Sequence, residues 1–197
     1  TTLFRSALRL FLHLGFRNLT KKEEDIRYRN WREQWGKTQV WRSYLQVWLL
    51  QPLILYLFAL PMLVAIGSPD APLNGLALLG AGIWLVGFLF EAIGDEQLRR
   101  HKANPQNKGK LITTGLWAWS RHPNYFGEVV IWWGIWLMAA DLPNGLSSII
   151  APIAVTYLLW AVSGVAMTEA LMKKREGFKE YASRTSVFFP WPPKKSS

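Results

Sequence analysis

The segment "RHPNYFGE", residues 121–128, concentrates side chains that could do chemistry. It places a guanidinium, an imidazole, an amide and a phenol directly before Glu128, and the uncharged run "VVIWWGIWLMAA" follows that carboxylate. Ionisable groups at membrane depth are costly and are usually retained for function. Asn124 and Glu128 are four residues apart, so they share one face of a helix. The pattern predicts a binding or catalytic site at a helix start.

The helix that would carry these residues is short. Residues 125–140 number 16, which is about 24 Å of helix and less than the roughly 30 Å of hydrocarbon. We therefore expect the helix to begin below the membrane surface, with Pro123 in its first turn and its free N–H groups directed into a polar cavity. Two alternatives are open: Asn124 only caps the helix, or Glu128 only pairs with Arg121 or another cation.

Polar side chains recur on one face of two other predicted helices. Steps of four residues near the end of "GIWLVGFLFEAIGDEQLRRHK" place Glu91, Asp95 and Arg99 in one row, with Lys102 near it. A second row in the first helix consists of Arg5, Arg9, His13 and Arg17. The first row is predicted to line the cavity. The N-terminal row fits either the cavity or an amphipathic helix at the interface, and Glu169 fits either a site or the membrane interface.

Composition indicates how these residues are held. Half of the 197 residues are hydrophobic, 12 are Trp, and the apolar residues form blocks. The uncharged blocks are residues 43–69, 71–90 and 142–168. Each is long enough to cross a bilayer as a helix. We predict an all-α, polytopic transmembrane helix bundle with a cytoplasm-facing cofactor cavity, forming a single membrane domain over residues 1–197 with a flexible tail at 190–197. The predicted helices are 2–18, 43–67, 73–95, 124–140 and 147–172.

Charge orients the bundle. Of the 23 Lys and Arg, eight lie in residues 17–42, six in 99–121 and seven in 173–195, whereas the connectors "SPDAPLNG" and "DLPNGLSS" have none. This asymmetry predicts that all three basic segments are cytoplasmic. Topology therefore accounts for the net charge of +10, and we expect no nucleic-acid partner. The chain has no Cys and three scattered His, so we expect no metal site.

Several stretches carry a resemblance to known proteins. They are "EEDIRYRNWREQWG", residues 90–137 and "EALMKKREGFKEYASRTSVFFPW". In order and spacing they resemble a bacterial membrane family of uncharacterised proteins grouped with the steroid 5-alpha-reductase C-terminal domain. The wider superfamily includes sterol reductases, which use NADPH, and isoprenylcysteine carboxyl methyltransferases, which use S-adenosylmethionine. The resemblance implies an integral protein of the bacterial inner membrane with a cytoplasmic C-terminus.

The resemblance also implies the cofactor contacts. The candidate cofactor-binding residues are Glu91, Asp95, Lys102, Arg121, His122, Asn124, Tyr125, Glu128, Glu169 and Tyr181. Asn124 and Glu128 match cofactor contacts of the reductases, whereas Glu91 stands where the reductases have Asn. The reductases take their proton donor from N-terminal spans, yet no Tyr here precedes Tyr28. We therefore expect a chain that lacks N-terminal spans, and we assign no catalytic residue.

Three functions are compatible with these residues. A cytoplasmic mouth of Arg99, Arg100, Lys102 and Arg121 above a carboxylate-bearing cavity favours NADPH-dependent reduction of a conjugated C=C bond in a lipid or steroid-like substrate. No G-x-G-x-x-G follows a strand, but a helix N-terminus and arginines bind phosphates without it. The carboxylates equally suit the sulfonium of S-adenosylmethionine in a methyltransferase. The third hypothesis is a non-catalytic membrane protein that binds a partner helix or lipid.

Overall fold

Helices account for the architecture of the chain. The computed structural model describes residues 32–194, apart from the side chain of Val47. Within that range there are helices and no strand, with one isolated parallel bridge between Ser120 and Ser186, and the all-α prediction is confirmed. The principal helices are α1 (Arg32–Ile66), α2 (Gly75–Ala103), α3 (Leu116–Trp119), α4 (Pro123–Ala139), α5 (Ile150–Tyr157), α6 (Val165–Met172) and α7 (Phe178–Arg184).

Among residues 32–194, three stretches are long and apolar enough to cross a membrane. They are α1, α2 and the segment Gly145–Met172, which contains α5 and α6. The chain divides into two units at Leu53, so α1 belongs to the first unit up to that residue and to the second beyond it. Helix α4 has 17 residues, which gives about 25 Å and remains shorter than the roughly 30 Å of hydrocarbon. The predicted first helix, with its row of basic residues, lies outside the described residues.

Helix α2 extends beyond its predicted end. The sequence analysis ended this span at residue 95, whereas the helix continues to Ala103. Its start is fixed by Asn74, whose side chain accepts a hydrogen bond from the amide of Ala77 at 2.8 Å. Its last turns are polar, and there Glu96 pairs with Arg99 and Arg100 along the helix. The helix stops before Pro105, which cannot continue it.

Glycines bring α2 and α4 together. Gly80, Gly87 and Gly94 recur every seven residues on α2 and are buried, as are Gly127 and Gly134 on α4. A Cβ at Gly87 would lie 2.7 Å from the oxygen of Gly127, and one at Gly134 would lie 2.8 Å from the oxygen of Gly80. Any larger residue would separate the two backbones. This row of glycines, the glycine seam, sets the register in which the polar residues of α2 meet those of α4.

The last apolar segment is interrupted. It was predicted as one span over residues 147–172, but the helix breaks at Ser163 and Gly164 after a π-helical turn over Leu158–Val162. Gly164 allows the break, because a Cβ there would lie 2.4 Å from the oxygen of Leu159. Glu169 therefore lies on α6, after the interruption at Ser163 and Gly164.

Two of the basic segments lie at the same end of the second unit. Arg175 donates a hydrogen bond to the carbonyl of Lys110 at 3.2 Å. At the opposite end, the side chain of Asn74 donates to Asp141 at 2.7 Å, which joins the two connectors that lack Lys and Arg. The extended segment after α7 pairs with the chain before α4, where the amide of Trp191 donates to the carbonyl of Trp119 at 3.0 Å. The predicted flexible tail stays a prediction.

The sidedness of these ends remains a prediction with a direct check. We expect single cysteines introduced at Lys37, Lys108 and Lys194 of the Cys-free chain to react with an impermeant maleimide from one side only, the cytoplasmic side. The reason is the clustering of Lys and Arg in the three segments. Labelling of inside-out and right-side-out vesicles measures it, and opposite labelling at any one position would contradict the assigned topology.

Candidate functional site

The backbone before α4 is held by a serine. Ser120 is fully buried, and its hydroxyl donates to the carbonyl of Phe188 at 2.7 Å while accepting from the amide of His122 at 3.0 Å. Pro123 then supplies the first helical residue, where a missing N–H costs nothing. The sequence "SRHP" thus makes a fixed entry into the helix. It directs Arg121 and His122 away from solvent and towards α6.

Arg121 forms a buried, bidentate ion pair with Glu169. Its Nε and Nη2 donate to the two carboxylate oxygens at 2.9 Å each, and its Nη1 donates to the carbonyl of Thr185 at 2.7 Å. Only 6% of the residue is exposed. The proposed pairing of Arg121 with Glu128 is therefore wrong. The guanidinium joins α4 to α6 and to the C-terminal segment.

His122 completes this cluster. Its Nε2 lies 3.0 Å from Glu169 Oε1, and because a carboxylate only accepts, the ring donates from Nε2. Burial lowers the pKa of His122, which opposes the effect of Glu169 and favours the neutral ring at pH 7. The ring stacks on Tyr125 with centroids 5.5 Å apart. The Tyr125 hydroxyl lies 3.4 Å from that of Thr168, which itself donates to a backbone carbonyl.

Tyr181 has a structural partner. Its hydroxyl donates to the carbonyl of Trp117 at 2.6 Å, and the indole of Trp117 donates to the carbonyl of Gly94 at 3.0 Å. Burial raises the pKa of Tyr181 well above its usual range. This chain of bonds connects α7 to α2 through α3. The hydroxyl proton of Tyr181 is thus already donated within the protein.

The glycine seam brings carboxylates and an amide together. Asn124 donates from Nδ2 to Asp95 Oδ1 at 3.0 Å, and Glu128 lies within electrostatic range of Glu91 and Asp95. A Cβ at Gly127 would lie 2.5 Å from the amide nitrogen of Glu91, which shows how closely the helices approach here. No ion pair to any of the three carboxylates occurs within residues 32–194. The structure thus brings the polar row of α2 into contact with the face of α4 that carries Asn124 and Glu128.

The side-chain oxygen of Asn124 lacks a hydrogen-bond donor among the described residues. This atom, Oδ1, is buried. No described side chain caps the start of α4, whose N-cap residue is His122. The alternative in which Asn124 only caps α4 is therefore wrong. Buried acceptors are rarely left unpaired in a native protein. The carboxylate–amide cluster, meaning Glu91, Asp95, Asn124 and Glu128, thus contains an acceptor that no group within residues 32–194 satisfies.

A basic cavity of about 630 Å³ opens at the end of α2. Its cationic and titratable lining residues are His101, Lys102, Lys108, Lys110 and Arg175. Apolar side chains, among them Leu98, Trp117 and Leu171, form much of the remaining wall, and no carboxylate lines it among the described residues. Gly109, with φ of +82°, makes the turn between two of the lysines. The cavity is suited to an amphipathic anion.

The structure thus divides the ten candidate residues into groups. Arg121, His122, Tyr125 and Glu169 form one cluster, Glu91, Asp95, Asn124 and Glu128 form another, Lys102 lines the basic cavity, and Tyr181 is bonded to Trp117. The predicted cationic mouth differs, because Arg99 and Arg100 pair with Glu96 and do not line the cavity. Sequence analysis missed Lys108, Lys110 and Arg175. The string "NKGK" was the available signal, since its glycine marks a turn between cations.

Comparisons with known proteins were made on the whole chain. The family described as Protein of unknown function (DUF1295) matches residues 4–185. The "Probable O-methyltransferase ustE" of Ustilaginoidea virens is 35% identical over 74 residues, which cover 38% of this chain and 26% of the relative. An uncharacterized protein of Schizosaccharomyces pombe is 28% identical over 122 residues, 52% of this chain and 36% of the relative. The chain therefore spans only about a quarter to a third of these relatives. No solved structure matches.

Proposed function

The chain belongs to the family described as Protein of unknown function (DUF1295), and from this premise we propose that it is a membrane-embedded, NADPH-dependent reductase. The reaction would reduce a conjugated C=C bond of a lipid or steroid-like substrate, which would enter from the bilayer. NADPH supplies the hydride when bound.

The basic cavity is the observation that carries the proposal. The arginines that the sequence placed at the cationic mouth are neutralised, since Arg99 and Arg100 pair with Glu96 and Arg121 pairs with Glu169. The cations of the cavity lack carboxylate partners within residues 32–194. Clustered cations without partners favour a ligand with several negative charges. The phosphates of NADPH meet that requirement, whereas S-adenosylmethionine has none.

The carboxylate–amide cluster supports the other end of the cofactor. Asp95 and Lys102 lie on the same helix seven residues apart, which is about 10 Å along its axis. An extended dinucleotide can therefore reach from the cavity to the cluster. The unpartnered Oδ1 of Asn124 suits the N–H of a carboxamide.

Replacing Lys102 by Ala is expected to weaken NADPH binding by roughly 1 to 3 kcal/mol, because one charge-assisted hydrogen bond is lost. Calorimetric titration of the purified protein in detergent with NADPH measures the dissociation constant. Lys179→Ala is the matched control, since Lys179 is an exposed cation of the same end that does not line the cavity. Equal affinity of both variants and the parent protein would mean that Lys102 serves topology alone. If Lys102 contacts the 2′-phosphate, Lys102→Ala should weaken the binding of NADH, which lacks this phosphate, less than the binding of NADPH.

Replacing Glu128 by Gln is expected to separate function from stability. Gln keeps the size and is easier to bury without a partner, so the melting temperature in detergent should be nearly unchanged. Cofactor affinity or turnover should fall by on the order of tenfold or more, because a charged acceptor is removed. Both quantities are measured on the same preparation. A destabilised protein with normal cofactor affinity would refute the functional role of Glu128.

A second candidate function is methyl transfer from S-adenosylmethionine. One relative is named a probable O-methyltransferase, and the three carboxylates of the cluster would suit a sulfonium. A titration with NADPH, NADH and S-adenosylmethionine decides between the candidates. Binding of S-adenosylmethionine alone would replace the reductase proposal. Binding of none of the three would favour the non-catalytic hypothesis, in which the polar cluster receives a partner helix or lipid.

A further inference from the structure

An aromatic patch lies next to the entry of α4 and outside both polar clusters. It consists of Trp119, Phe189 and Trp191, whose exposed fractions are 47%, 69% and 71%. The backbones of the two tryptophans are joined by a hydrogen bond of 3.0 Å. Phe188, the residue before the second member, is 3% exposed and packs inwards. The C-terminal segment therefore has one aromatic side chain in the core and two on the surface, an arrangement that burial within this chain does not explain.

The patch is continuous with the surface of the membrane spans. The ring of Phe189 lies 6.0 Å from that of Phe126 on α4 and 5.6 Å from that of Phe188. Phe188 in turn lies 5.1 Å from Trp160, a half-exposed residue of the last apolar segment. Edge-to-face contacts thus connect the patch to two helices of the bundle.

We propose that the patch inserts into the headgroup region of the cytoplasmic leaflet and anchors the C-terminal segment to the bilayer. Trp concentrates at membrane interfaces because its ring is apolar and its N–H is polar. Lys194, exposed and three residues after Trp191, supplies a positive charge for anionic headgroups. The anchor goes beyond the proposed function, because it involves none of the residues assigned to the cofactor. It fixes the segment whose carbonyls hold Arg121 at the level of the lipid headgroups.

Spin-label accessibility tests the anchor. The chain has no Cys, so Phe189→Cys and Trp191→Cys give single attachment sites in the full chain. The labelled variants are placed in nanodiscs of phosphatidylcholine and phosphatidylglycerol, and collisions with oxygen and with a water-soluble nickel chelate are measured. Leu79→Cys, on the exposed surface of α2, is the lipid reference, and Gln106→Cys, on the exposed cytoplasmic loop, is the aqueous reference.

The expected ratio of oxygen to nickel accessibility at positions 189 and 191 is several-fold higher than at position 106 and approaches that at position 79. A ratio equal to that at position 106 would place the patch in water and overturn the proposal. Low accessibility to both reagents would also overturn it, because it would mean that a second copy or another protein covers the patch. Failure of one variant to fold leaves the other position to decide. Catalytic activity is not needed for any of these readouts.

Discussion

Replacing Gly87 by Ala is expected to destabilise the protein severely, lowering the melting temperature or abolishing folded material. The new Cβ would lie 2.6 Å from the amide nitrogen of Ile131 and 2.7 Å from the oxygen of Gly127. Both are backbone atoms of α4, so no rotamer change relieves the contact. Overpacking of this kind costs about 1 to 3 kcal/mol, and rigid backbone neighbours favour the upper part of that range. Thermal denaturation in detergent measures the loss.

Gly82→Ala is the matched control on the same helix. A Cβ at Gly82 meets no atom within 4 Å, so this substitution should stabilise α2 by about 0.5 to 1 kcal/mol through its higher helix propensity. The two variants differ only in which face of α2 receives a methyl group. Equal melting temperatures for both would show that the glycine seam does not hold the helices in contact, and the register inferred for Asp95 and Asn124 would fall with it.

Replacing Glu169 by Ala is expected to cost about 3 to 5 kcal/mol of stability, the usual effect of removing one partner of a buried ion pair. Arg121 would keep its positive charge at 6% exposure and lose both carboxylate hydrogen bonds, while His122 would lose its acceptor. Only backbone carbonyls, those of Thr185 and Ala182, would remain as hydrogen-bond acceptors for the guanidinium among the described residues. Thermal denaturation, followed by circular dichroism in detergent, gives the measurement.

Glu180→Ala provides the comparison, because Glu180 also pairs with an arginine, Arg184, but at the surface. An exposed pair four residues apart in a helix contributes about 0.3 to 0.5 kcal/mol. The melting temperature of this variant should therefore hardly change. A small effect of Glu169→Ala, similar to that of Glu180→Ala, would refute the structural role of the Arg121 cluster. Arg121 would then again be a candidate for binding the cofactor.

Local patterns in the sequence were sufficient to predict some of these arrangements. Uncharged blocks gave the spans, and spacing of four residues placed Asn124 with Glu128 on α4 and Glu91 with Asp95 on α2. The contact between the two helices could also have been found, because glycines seven residues apart on both helices predict a close approach. The prediction rested on the polar residues of these helices and did not use the spacing of their glycines.

Long-range pairings could not be obtained in this way. Arg121 lies only seven residues before Glu128 in the sequence, yet its partner is Glu169, 48 residues later and beyond a helix break. Periodicity has no information about which of several carboxylates a buried guanidinium meets. The same limit applies to the basic cavity, where Arg175 approaches the carbonyl of Lys110 across 65 residues. Charge asymmetry placed both segments at one end but could not show which cations remain unpaired there.

The hydrogen bonds between Arg121 and the C-terminal segment also constrain how the protein is made. Synthesis proceeds from the N-terminus, and helices enter the membrane as the ribosome delivers them. The carbonyl of Thr185 reaches Arg121 from 64 residues downstream, so α2 and α4 exist before the acceptors of that guanidinium have been translated. The guanidinium of Arg121 is therefore solvated by water or lipid headgroups until these acceptors have been synthesised. Membrane insertion comes first, and the entry of α4 is completed only when the nascent chain has delivered α6 and the segment that follows α7.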